Sequence, residues 1–118
     1  MGELRRLLVV EDDASNRLTL CALLEDEGFE VEAASSLAEA EDLLRRAAPF
    51  AAVLLDRGLG REDGLALVPT VRAAMPAAKI VVLSGQDTPA PGVDATLRKG
   101  DRFDDLSAAL AAILAGPP

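Results

Sequence analysis

Leu7-Leu8-Val9-Val10-Glu11-Asp12-Asp13 is the stretch that decides the fold: four apolar residues run directly into three acids. A short, unbroken apolar run is what a parallel strand needs when both its faces are covered. The acids that follow then stand at the carboxyl end of that strand, where open parallel sheets bind their ligands. The pattern recurs twice. Ala51-Ala52-Val53-Leu54-Leu55 runs into Asp56, and Ile80-Val81-Val82-Leu83 into Ser84. Two weaker strands are expected over residues 29–33, after the turn signal at Gly28, and over 94–98, after Pro91-Gly92 and just before Lys99.

Helical patterns fill the intervals. Leu20, Leu23 and Leu24 share one face of a first helix, and Leu43, Leu44 and Ala47 one face of a second. Ser36 and Glu39 have capping-box spacing, which starts the second helix near Leu37. A third helix is expected over residues 65–74, kinked or started late by Pro69, whose ring removes a donor and crowds the preceding turn. Leu106, Leu110, Ile113 and Leu114 form the stripe of a last helix that ends by Gly116, with Asp104 and Asp105 near its positive end. Strand and helix alternate throughout, so an α/β fold follows: a doubly wound, open parallel sheet of five strands.

The 118 residues suit one domain, 1–118, with a core over 7–114; half are apolar and 27% charged, as in a packed domain. A net charge of −8 argues against direct nucleic-acid binding through a basic face. No apolar run is long enough to span a bilayer and no signal-peptide pattern opens the chain, so a cytoplasmic location with no membrane contact is expected. With no His, the commonest general base and zinc ligand is missing, and the single Cys21 sits among leucines as a small hydrophobe. The chemistry rests on carboxylates.

Glu11, Asp12 and Asp13 follow the first strand, Asp56 the third, Ser84 the fourth and Lys99 the fifth. Carboxylates gathered at one sheet edge repel one another unless a cation relieves them, and a hard, oxygen-seeking ion such as Mg²⁺ suits them. Singly, each residue has a plain structural reading: helix-end charge, turn residue, cap or solvated lysine. Their joint placement at four strand ends favours a site.

These same stretches, with Val53-Leu54-Leu55-Asp56, Leu59, Asp63-Gly64, Val82-Leu83-Ser84-Gly85 and Leu97-Arg98-Lys99, resemble the receiver domain of bacterial two-component response regulators. The resemblance implies a flavodoxin-like strand order, 2-1-3-4-5. It implies that Asp56 is a phosphoacceptor for a partner phosphohistidine, on a sensor histidine kinase or a histidine phosphotransfer protein. It implies that Glu11, Asp12, Asp56 and the backbone carbonyl of Gly58 hold Mg²⁺, Glu11 directly or through water, with Asp13 a bystander. Lys99 would pair with a phosphoryl oxygen and Ser84 would move to hydrogen-bond another, switching a protein interaction. Gln86 would modulate phosphate lifetime by orienting water. Such a protein is no classical enzyme, but it promotes its own phosphorylation and slow dephosphorylation. The alternative is a pseudo-receiver that binds a protein without phosphorylation.

The chain also departs from that pattern. Only fifteen positions separate Ser84 from Lys99, and Pro89, Pro91 and Gly92 oppose helix within them, so a fourth helix is expected to be lost or reduced to one turn. Thr96 stands where the family has its aromatic switch, and the chain has no Tyr. Gly100 replaces the usual proline after Lys99, and a trans bond is expected there because a cis bond without proline costs about 2.5–4 kcal/mol. Ala115-Gly116-Pro117-Pro118 reads as an end or as the start of a linker, so either a stand-alone regulator or part of a longer protein is compatible.

Overall fold

The computed structural model describes residues 5–46, 49–59, 62–84, 92–98 and 103–115, with side chains for all of these except 59, 103–107 and 115. The apolar runs are strands: β1 (Arg6–Val10), β2 (Glu30–Ala34), β3 (Ala52–Asp56), β6 (Lys79–Ser84) and β7 (Ala95–Arg98). They form one sheet in the order β2-β1-β3-β6-β7, every neighbouring pair parallel. This is the expected flavodoxin-like order, 2-1-3-4-5 when only strands of this sheet are counted. A two-stranded antiparallel ladder, β4 (Gly58–Leu59) with β5 (Glu62–Asp63), was not foreseen and follows β3 directly.

Alternation explains why the strands had to be apolar throughout. Leu8, Val10, Val53, Leu55, Ile80 and Val82 point to one side, where they meet Leu37, Ala40 and Leu44 of α2 (Leu37–Arg46) and Val71 of α3 (Val68–Ala74). Leu7, Val9, Leu54 and Val81 point to the other, against Leu24 of α1 (Ala14–Asp26) and Leu110 of α4 (Phe103–Ala115). Beyond the partly exposed Arg6 and Lys79 that begin β1 and β6, all residues of β1, β3 and β6 are buried, and burial on both sides supplies the main driving force for folding. Leu20 and Cys21 pack at the margin of the second layer, as expected for the cysteine, while Leu23 is half-buried. Burial first, and then the charge of Glu25, push the Cys21 thiol up against a smaller opposing effect of Arg17.

The helix ends follow local chemistry. Gly28, at φ 97°, takes the left-handed conformation that closes α1, and its N–H reaches the Glu25 carbonyl at 3.0 Å. At α2 the Glu39 N–H donates to Ser36 Oγ at 3.1 Å, half of the expected capping box, while the Glu39 carboxylate accepts from Ser35 Oγ at 3.1 Å. The third helix starts late, as Pro69 demanded: residues Gly64–Leu67 form a 3-10 turn, and Pro69 lies in the first turn of α3, where its missing N–H has no intrahelical partner to lose.

Four helices accompany the sheet among the described residues, in keeping with a fourth helix shortened or lost; α4 takes the place of the last helix read from sequence. Residues 92–94, the described part of the β6–β7 connection, are not helical, and residues 85–91 lie outside the described residues. The chemistry of β7 fits that expectation. Ala95 and Leu97 pack towards α1 and α4, whereas Thr96 and Arg98, on the opposite face, are exposed and polar.

The connection is instead tied to the sheet by Asp94. Its N–H donates to the Ile80 carbonyl at 2.9 Å, and its carboxylate accepts from the Ile80 N–H at 2.7 Å and from Arg72 Nη2 at 3.0 Å. Arg72 also donates to the carbonyls of Gly92 and Ala78, joining α3 to the start of β7. Partial burial alone would raise the Asp94 pKa, but the Ile80 amide and the Arg72 guanidinium, helped by Lys79, outweigh it and hold the group below the ordinary carboxylate range. A depressed folded-state pKa means stability that is fully present above the unfolded value, near 3.8, and is lost as pH falls through the folded value. Asp94→Ala is expected to cost about 1–2 kcal/mol at neutral pH, mostly from the unpaired Ile80 amide because the solvent-screened ion pair adds little. Urea denaturation from pH 7 down to pH 2 should show the gap between variant and wild type narrowing in the acid range; a gap constant with pH would contradict this account.

Candidate functional site

Three adjacent strands bring the chemistry together. β1, β3 and β6 lie side by side and in parallel, so Glu11, Asp56 and Ser84 reach one edge of the sheet, all nearly buried, with Asp12 exposed beside them. The Glu11 N–H continues the ladder to the Ala34 carbonyl at 3.0 Å, and the Arg57 N–H reaches the Leu83 carbonyl at 3.1 Å. Backbone pairing thus fixes where each side chain starts before any ligand is considered.

Oxygens of Glu11, Asp12 and Asp56 lie within 4.8 Å of one another. Opposed ligands of one Mg²⁺ stand about 4.2 Å apart and those of Ca²⁺ somewhat further, so these carboxylates are within bridging reach of a single hard cation. At 2% and 4% exposure, Asp56 and Glu11 cannot rely on bulk water to screen their charges. Donor type, spacing and crowded negative charge all fit a divalent metal.

Local contacts hold the acids in place. The Gly58 N–H donates to Asp56 Oδ1 at 3.1 Å, so the first residue of β4 orients the carboxylate two positions before it. Asp13 is the N-cap of α1: its Oδ1 accepts from the Asn16 N–H at 2.9 Å, and its own N–H donates to Glu11 Oε2 at 3.3 Å. The residue read as a bystander therefore steadies its neighbour, and an Asp just ahead of an apolar helix was the signal for it. Arg17, which the sequence reading passed over, sends Nη1 back to the carbonyls of Glu11 and Asp12 at 3.0 and 3.4 Å.

Gly64, of the Asp63-Gly64 pair, sits against the back of Asp56. A Cβ built on it would collide with the Asp56 carbonyl oxygen and meet Leu55 Cγ at 3.2 Å. Its N–H also closes the loop by donating to the Arg57 carbonyl at 2.7 Å. The structure thus brings Glu11, Asp12, Asp56 and Ser84 to one edge with Gly58 alongside, while Lys99, Gln86 and the Lys99–Gly100 bond lie outside the described residues.

A five-stranded parallel sheet whose carboxyl edge carries a buried aspartate, two further acids and a serine defines a receiver-type α/β domain. The chain belongs to the response regulator receiver domain family, whose model matches residues 7–103. It is 36% identical over 90 residues to the alginate biosynthesis transcriptional regulatory protein AlgB of Pseudomonas putida, a match covering 76% of this chain but only 20% of that protein. Among solved structures it resembles a response regulator protein from Burkholderia pseudomallei with a phosphorylated aspartic acid, calcium ion and citrate. That match has a TM-score of 0.82 at 30% identity and covers 94% of this chain and 69% of the other. It also resembles the response regulator TrrA of Thermotoga maritima in complex with Mg²⁺-BeF, with a TM-score of 0.83 at 26% identity, covering 93% and 99%.

Proposed function

We propose that the chain is a phosphoryl-accepting receiver in which Asp56 takes a phosphoryl group from a phosphohistidine on a sensor histidine kinase or a histidine phosphotransfer protein. The observation that carries this reading is the cluster of Glu11, Asp12 and Asp56 oxygens at the carboxyl edge, around a nearly buried Asp56. An Asp56 carboxylate oxygen forms the new bond to phosphorus as the phosphorus–nitrogen bond breaks, and the electron pair leaves with the imidazole.

Glu11, Asp12 and Asp56, with the Gly58 carbonyl, are the proposed ligands of Mg²⁺. When bound, the metal supplies charge neutralisation for the phosphoryl oxygens. Lys99 is assigned a phosphoryl oxygen as an ammonium partner, Ser84 a hydrogen bond to another, and Gln86 the orientation of hydrolytic water. The Mg²⁺ complex of the Thermotoga relative and the phosphorylated aspartate of the Burkholderia relative support the reading. We read residues 1–118 as one domain, cytoplasmic and acting on protein partners. Its net charge of −8 disfavours direct nucleic-acid contact, and no helix among the described residues is long and apolar enough to cross a membrane.

The test is incubation with Mg²⁺ and acetyl phosphate, read by intact mass and by peptide mapping under conditions that preserve acyl phosphates. Gain of one phosphoryl group, located at Asp56, is the expected result. Mg²⁺ binding without any labelling, by acetyl phosphate or by a phosphorylated histidine donor, would favour the pseudo-receiver, a reading prompted by Thr96 at the aromatic switch position and by the short, breaker-rich stretch where a fourth helix is expected to be lost.

A further inference from the structure

We propose that Arg17 is a positioning residue for the acidic site: by holding the Glu11 and Asp12 carbonyls, it sets the direction in which both carboxylates face Asp56. The inference rests on the metal-binding reading above but concerns a residue that touches no proposed ligand atom. Arg17 lies one turn into α1, its own N–H bonded to the Asp13 carbonyl at 2.9 Å, so its Cα is held by the helix. From there its guanidinium reaches back over the helix start to Glu11 O and Asp12 O at 3.0 and 3.4 Å. Those are the peptide units on either side of the Asp12 Cα, and fixing both limits the rotation that would swing its side chain away from Asp56. Glu11 is held from other directions as well, by its N–H to Ala34 and its carboxylate to the Asp13 amide. Asp12 is exposed, and although the Asp13 N–H on its carboxyl side is also held by Glu11 Oε2, Arg17 is the side chain that ties together the two peptide units flanking its Cα.

Charge and geometry make opposite predictions here, which gives the idea a sharp test. Arg17 is a cation close to a dication site, so on charge alone its removal would tighten metal binding. If positioning dominates, removal loosens it, as loss of an outer-shell partner commonly weakens metal affinity about 10–100-fold. Mg²⁺ titration calorimetry on wild type, Arg17→Ala and Arg17→Lys is accompanied by amide exchange on the metal-free proteins. The expected result is an affinity at least about tenfold weaker for the alanine variant and partly restored by lysine, which keeps the charge but not the planar fork. Faster exchange of the Asp13 amide is expected in the alanine variant, with β3 amides unchanged; faster exchange across β3 as well would mean general loosening and overturn the proposal. Equal or tighter Mg²⁺ binding by the alanine variant would also overturn it. If wild type binds no Mg²⁺, the metal reading falls, and unchanged Asp13 exchange would then overturn the loop-holding role separately.

Discussion

Asp56→Asn is expected to abolish phosphoryl labelling while making the metal-free protein more stable. An amide is not a nucleophile under these conditions, and it offers a neutral oxygen where the site has a carboxylate. Mg²⁺ affinity should fall at least about a hundredfold, the upper end of what loss of even an outer-shell partner costs. The gain in stability has the same origin. Three acids with oxygens within 4.8 Å, two of them nearly buried, repel one another in the absence of a cation, and removing one charge relieves this by on the order of 1 kcal/mol or more. The amide keeps an oxygen for the Gly58 N–H, so local geometry survives. Urea unfolding with and without Mg²⁺ reads both effects: the variant should be the more stable protein without metal and lose that lead as Mg²⁺ is added. A variant less stable than wild type without metal would contradict the picture of a strained acidic cluster.

Gly64→Ala should be the most damaging glycine-to-alanine substitution among the described residues, costing about 2–3 kcal/mol and displacing Asp56. The added methyl has no space because the Asp56 carbonyl and the Leu55 side chain occupy it, and both belong to the central, fully buried strand β3. Relief requires either β3 or the 3-10 turn that begins at Gly64 to move, and a movement of β3 carries the Asp56 carboxylate with it. Mg²⁺ affinity and labelling are therefore expected to fall together with stability. Gly58→Ala is the control. It lies nearer to Asp56 in sequence than Gly64 does, but its Cβ would meet nothing within 4 Å and its φ is not positive, so it should be neutral or slightly stabilising. Comparable losses in the two variants would mean that backbone freedom, not the close approach, is what glycine provides here.

The strands were readable because burial on both faces leaves a pattern few other elements produce. Leu7 and Val9 face α1 while Leu8 and Val10 face α2, and no polar residue could stand in either set. The late start of α3 was readable from Pro69, and the exposed Thr96 and Arg98 agree with a connection whose described part, residues 92–94, is not helical. The β4–β5 ladder was not, since two-residue strands are too short to show a period. The Arg72–Asp94 tie joins residues 22 positions apart, and no local rule pairs them. Arg17 was missed for a related reason: the acids drew attention as ligands, and the group that holds their carbonyls carries no motif of its own.

Taken alone, the order of residues determined the parallel sheet and the strand-end positions of Glu11, Asp56 and Ser84, because hydrophobic periodicity and chain alternation are local properties that survive without coordinates. Tertiary structure alone decided that Glu11 and Asp12 reach Asp56 across two strands, that Gly64 admits no side chain, and that Arg17 holds the acidic loop. The reason is distance. Packing and hydrogen bonding act over a few ångströms between residues far apart along the chain, and only the folded backbone says which of them meet.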